Sequence, residues 1–107
     1  YIDNVIEMNK LALLTENENS LNQVYNTAHG ERTTLLELVS YLKKYLSRLD
    51  PEISQIKVIH GPNRNGDIPH SLASIEKATQ LLGYKPIVKM EEGISKAVEW
   101  YWNNLND

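Results

Sequence analysis

Thr34-Leu35-Leu36-Glu37-Leu38-Val39-Ser40-Tyr41-Leu42-Lys43-Lys44-Tyr45-Leu46-Ser47-Arg48-Leu49-Asp50-Pro51 is the stretch on which the fold turns. Thr34 and Glu37 have the spacing of a capping box, in which hydroxyl and carboxylate each satisfy a backbone donor left open in the first turn. Leu35, Leu38, Val39, Leu42, Tyr45, Leu46 and Leu49 then recur at intervals of three and four, one apolar face of a helix. Asp50-Pro51 stops it, because a residue before proline is pushed out of helical geometry. On either side lie short β-favouring runs, Gln23-Val24-Tyr25-Asn26-Thr27 closed by Gly30, and Ile56-Lys57-Val58-Ile59 closed by Gly61-Pro62. Strand, helix, strand predicts a right-handed βαβ unit with two short parallel strands. The fold class expected is therefore α/β, a small βαβ-containing subdomain with about four helices.

The remaining helices are read around that unit. Asp3 and Asn4 are good N-caps, and Val5, Ile6, Met8, Ala12 and Leu13 form an apolar stripe running to about Leu14. The Asn-rich stretch from Asn17 to Asn22 is a turn. Ser74 can cap a short helix that ends at Leu82, with Gly83 as its stop and Pro86 beyond. A last helix from about Met90 to Leu105 turns Ile94, Ala97, Val98, Tyr101 and Leu105 inward, with Trp100 and Trp102 to either side. At least one tryptophan is expected to pack on the small sheet. Lys43-Lys44 and Glu91-Glu92 read as solvated helix faces. There is no internal repeat and no low-complexity segment.

With 107 residues the chain is one domain or part of one. A net charge of −3 lacks the basic footprint of a nucleic-acid binder. No apolar run approaches the roughly 20 residues that span a bilayer, and no basic start followed by an apolar stretch marks a secretory leader. The absence of cysteine removes disulfides and thiolate metal sites and agrees with a reducing, cytoplasmic setting. His29, His60 and His70 are far apart, without metal-ligand spacing, and are read as loop histidines. The chain begins at Tyr1 rather than at methionine, and it is expected to be a piece of a longer protein.

Two parallel strands would open at one sheet edge, where open α/β sheets place ligands. The loops leaving that edge would be residues 28–33 and 60–67. The first enters the capped helix at its N-terminus, where free N–H groups and the dipole favour an anion. The second carries Arg64, whose planar fork suits phosphate oxygens, and Asp67, an acceptor for sugar hydroxyls. These residues suggest an anionic, hydroxylated ligand such as a nucleotide. They fit a solvated connection with a local ion pair equally well.

The same residues resemble the C-terminal half of the extended short-chain dehydrogenase/reductase family of nucleotide-sugar enzymes. Tyr1-Ile2-Asp3-Asn4-Val5 is similar to the family's strand-to-helix entry, and Val24-Tyr25-Asn26-Thr27-Ala28-His29-Gly30 to its "YN-x-G/A-x-G" turn. Arg64-Asn65-Gly66-Asp67 is similar to its "R-x-G-D" loop and the stretch from Ser71 to Ala78 to its "AD-x-SKA" helix start, with Ser74 where Asp is usual. Leu81-Leu82-Gly83-Tyr84-Lys85-Pro86 looks like its "LGW/Y-x-P", and Glu92-Gly93-Ile94 with Trp100 like its last helix.

The resemblance implies that residues 1–107 are the C-terminal substrate-binding part of an NAD-dependent nucleotide-sugar 4-epimerase, without its Rossmann domain. Arg64 would hold the diphosphate of a UDP-sugar, with Tyr1 beside it, and Asp67 the ribose hydroxyls. Leu35 would pack on the uracil face, although plain core packing suits it equally. Ser71, where UDP-galactose 4-epimerases carry a bulky tyrosine, would leave room for an N-acetyl group. That points to the bacterial UDP-N-acetylglucosamine 4-epimerases of surface-polysaccharide biosynthesis. NAD would belong to the parent protein and not to this piece, and the parent would be a homodimer.

The family's G-x-x-G-x-x-G fingerprint is absent, and no tyrosine has a lysine four residues on. That Tyr–Lys pair is the family's acid/base couple, so the chain alone is expected to be inactive. Two alternatives stay open: another member of the family, such as a dehydratase, decarboxylase or 5-epimerase, and a free-standing interaction domain without catalysis.

Overall fold

The computed structural model describes residues 1–62, 66 and 72–105. Four α-helices make up about half of it: α1 (Ile2–Leu14), α2 (Leu35–Leu46), α3 (Glu76–Leu82) and α4 (Met90–Leu105). Short 3-10 turns cover Glu18–Ser20 and Pro51–Gln55. Among the described residues there is no β-strand, so the expected βαβ unit with two parallel strands is overturned.

The physical reason lies in what the two β-favouring runs touch. Residues 23–27 and 56–59 lack ladder partners, and Val24 and Ile59 are 85% and 91% exposed. Lysine ammoniums take up their carbonyls instead. Lys77 Nζ donates to Val24 O (3.1 Å) and to Gln23 Oε1 (2.8 Å), and Lys43 Nζ donates to Ile56 O (2.7 Å). Each run is laid against a helix, and a two-stranded sheet with no third layer is marginal in water. No sheet is then available for a tryptophan to pack on, and Trp100 is 56% exposed.

α2 forms as its sequence predicts, over a slightly shorter span. Thr34 N and Oγ1 both donate to Glu37 Oε2 (2.7 and 2.8 Å), and Glu37 N donates back to Thr34 Oγ1 (3.2 Å). The backbone bond from Thr34, followed by that from its hydroxyl, lowers the Glu37 carboxyl below its ordinary value. A group with a lowered folded pKa stabilises at pH above its unfolded value, and that stabilisation is lost as pH falls through the folded one. Acid titration of the helix by circular dichroism should therefore show a loss below the ordinary glutamate range. Glu37→Gln should flatten that part of the profile, and an unchanged profile would contradict the cap's contribution.

The N-terminal helix starts differently from its reading. Tyr1, not Asp3 or Asn4, is the N-cap of α1, and its carbonyl accepts from Asn4 N (3.1 Å). Asn4 is buried, where its amide clamps the chain ahead of α4. Ile87 N and Val88 N donate to Asn4 Oδ1 (2.9 and 3.0 Å), and Asn4 Nδ2 donates to Val88 O (2.8 Å). A buried amide with its acceptor and a donor both used is fully compatible with an apolar surround.

The core is small. Met8 of α1, Ala78 and Leu82 of α3, and Tyr84 cluster together, with Leu11, Tyr25 and Ile75 partly buried against them. Gly83, at φ 66°, ends α3 in the left-handed region, where glycine carries no Cβ penalty. α2 packs on α4 without burying any residue of its own fully. Lys44 Nζ and Tyr45 OH at the C-terminal end of α2 both donate to Glu91 Oε1 in the first turn of α4. Lys44 and Glu91, from the runs expected on solvated faces, stay exposed to solvent and also tie the two helices together.

Much of the apolar surface stays uncovered. Of the predicted inner face of α4, Val98 is buried, while Tyr101 and Leu105 are 55% and 65% exposed. The accessible surface is 8705 Å², against about 6,100 Å² for a compact monomer of this mass. The radius of gyration is 17.4 Å, against about 13 Å for a compact domain of this length.

Candidate functional site

The first candidate loop, residues 28–33, is fixed on the α3 side of the molecule. Tyr84 OH donates to Ala28 O (2.9 Å) from a ring that is entirely buried. Asn26 Nδ2 donates to Ser74 O (3.2 Å) just upstream of α3. Gly30 has φ 74°, and a Cβ there would stand 2.9 Å from Ile75 Cδ1, so a side chain would be both strained and crowded. His29 Nδ1 is buried with no hydrogen-bond partner among the described residues.

That loop delivers the chain to α2, whose N-terminus is already occupied. The Glu37 carboxylate sits on the Thr34 donor, so the helix supplies its own anion. The expected anion preference of this helix start is therefore met internally. Beside it Leu35 and Leu36 are 80% and 64% exposed. Leu35 is thus not a core residue of this chain, and the two leucines leave an apolar step open at the helix start.

Tyr1 occupies a different place. Its ring lies on α4, where Gly93 leaves room: a Cβ at Gly93 would come within 2.9 Å of Tyr1 Cβ. Lys96 Nζ stands 5.5 Å from the ring centroid and is shared with Glu92 (2.9 Å) and Asp3 (3.4 Å). The bond to Glu92, ahead of that to Asp3, raises the Lys96 ammonium above its ordinary value and holds it charged. Tyr1 is 45% exposed. It sits near the α4 start, where Tyr45 arrives, whereas Leu35 is ten residues, or about 15 Å, along the α2 axis from Tyr45. Tyr1 packs on α4 and Leu35 opens α2, so the two stand on separate elements.

Arg64, Asp67 and Ser71 lie outside the described residues, as does His70. Among the described residues no group of three His, Asp or Glu is placed to hold a metal, and no helix is long and apolar enough to cross a membrane. A nicotinamide dinucleotide needs a strand, a glycine-rich turn and a helix N-terminus. The described residues contain no strand, and the capped start of α2 is filled by Glu37. These residues do not fit the cofactor.

Sequence reasoning missed two residues that shape this region. Asn4 was read as a cap and is a buried clamp; Tyr84 was read only as part of a motif and holds the loop. The pattern "Leu-Gly-Tyr" at a helix end was the available signal for Tyr84, since an aromatic just after a left-handed stop commonly folds back on the last turn.

No protein-family profile matches the chain. It is similar to several curated proteins over most of its own length. A protein of Rhizobium meliloti named "Probable UDP-glucuronate 4-epimerase" is 35% identical over 82 residues, 77% of this chain and 22% of that protein. UDP-glucuronate 4-epimerase 5 of Arabidopsis thaliana is 35% identical over 79 residues, 74% of this chain and 17% of the relative. A Methanocaldococcus jannaschii protein named "Putative UDP-glucose 4-epimerase" is 29% identical over 104 residues, 97% of this chain and 30% of the relative. The likeness is to nucleotide-sugar 4-epimerases. The chain spans between about a sixth and a third of the length of these relatives.

Proposed function

We propose that this chain is the substrate-binding part of a longer, NAD-dependent nucleotide-sugar 4-epimerase. The observation that carries the reading is the alignment of 97% of the chain with one named 4-epimerase, alongside two UDP-glucuronate 4-epimerases at 35% identity. Its uncovered apolar surface supports a role within a larger body, since such faces mark contact sites. Inversion at C4 of the sugar would be carried out by residues outside this chain, whose sequence lacks the Tyr–Lys pair and whose described residues form no fitting dinucleotide cradle.

Within that reading Arg64 holds the diphosphate and Asp67 the ribose hydroxyls, while Leu35 offers the apolar step for the uracil ring. Tyr1, on α4, serves the diphosphate side. Ser71 leaves space for a 2-N-acetyl group, which favours UDP-N-acetylglucosamine as the sugar. The names of the relatives favour a second reading, UDP-glucuronate.

Calorimetry on the full-length protein with UDP-N-acetylglucosamine, UDP-glucuronate and UDP-glucose tests both. A charge-assisted hydrogen bond contributes about 1.5–3 kcal/mol, so Arg64→Ala should weaken binding by roughly ten- to a hundredfold. Unchanged affinity would remove Arg64 from the site. The order of affinities among the three sugars decides between the N-acetyl and uronate readings.

A further inference from the structure

We propose that Tyr84 is a positioning residue for substrate binding, acting through the loop at residues 28–33; this rests on the functional reading above. Tyr84 is fully buried beside Met8, Ala78 and Leu82, so its ring is immobilised by the core. Its hydroxyl is the one polar atom of that ring, and it is spent on Ala28 O at 2.9 Å, 56 residues away. Ala28 is where the extended run gives way to the turn that feeds α2. Gly30, two residues on, seats against Ile75 of the same core.

Three residues upstream, Tyr25 packs on the same core and donates to Ser20 O (2.7 Å); elsewhere in the run the ties are external. Lys77 reaches Val24 O and Asn26 reaches Ser74 O, both through exposed side chains whose bonds water can replace. A bond to a buried hydroxyl has no such substitute, so it decides where the loop stands. From that point the chain runs through residues 29–33 to the exposed Leu35 step. A shift at Ala28 therefore moves the surface offered to the ligand, while no atom of Tyr84 touches it.

Tyr84→Phe in the full-length protein keeps the ring and removes only this bond. Steady-state kinetics with the preferred UDP-sugar should show KM raised by about three- to tenfold, the worth of one hydrogen bond, with kcat within twofold. Backbone-amide NMR order parameters for residues 28–33 should fall. Leu82→Val trims the same core without removing a bond to the loop, and it should lower Tm while leaving KM unchanged. A wild type that binds its sugar, with Tyr84→Phe unchanged in KM or Leu82→Val matching it, would overturn the inference alone. A wild type that binds no UDP-sugar would overturn the functional reading first.

Discussion

Asn4→Ala should remove about 2–4 kcal/mol of stability. The alanine deletes one acceptor and one donor and orphans Ile87 N–H, Val88 N–H and Val88 C=O at once. An unsatisfied buried group costs about 1–3 kcal/mol, and Val88 is only 3% exposed, so water has little access there. Ile87 is 58% exposed and can be rehydrated, which holds the sum below three full penalties. Domains of this size have about 5–15 kcal/mol in total, and this one leaves much apolar surface uncovered. Urea unfolding followed by circular dichroism should show a sharply lower midpoint. Asn4→Asp retains the two acceptor contacts but turns a second acceptor on Val88 O in a buried place, so it should not restore the wild-type midpoint. A midpoint for Asn4→Ala within 0.5 kcal/mol of the wild type, roughly a neutral surface change, would mean that the clamp is not needed.

Tyr84→Ala should cost more, about 3–5 kcal/mol, the usual toll for emptying a core aromatic site. Tyr84 is the largest fully buried side chain, and it fills the space between α1 and α3. Burial also raises its hydroxyl above the ordinary tyrosine value, so the ring remains neutral and donating well into the alkaline range. The alanine variant loses both the packing and the Ala28 anchor, whereas Tyr84→Phe loses the anchor alone. Thermal unfolding should separate them clearly. Equal losses for the two would mean that packing around the ring contributes little.

Helices were legible because their signals are local. The Thr34–Glu37 box, the left-handed Gly83 and the span Met90–Leu105 depend on residues within a few positions of each other. The β-favouring runs were not, because a strand needs a distant partner and propensity is silent about whether one is present. Val24-Tyr25 and Val58-Ile59 carry the right side chains, yet Lys77 and Lys43 occupy the carbonyls that a neighbouring strand would use. Asn4 escaped for a related reason. Its role depends on Ile87 and Val88, more than eighty residues away, and at a helix start a cap is the cheaper reading. Leu35 shows the opposite case, where periodicity assigned it to a core face and the structure leaves it in the open.

The two lysine tethers have a consequence for the chain at high concentration. Each run is tied by its lysine at one carbonyl, and neither has a ladder partner. Val24 and Ile59 add bare β-branched surface to those runs. Such edges recruit each other between molecules, and charge placed on them is a common guard against stacking. Lys77 and Lys43 place a positive charge on each of these runs, and salt screens that charge.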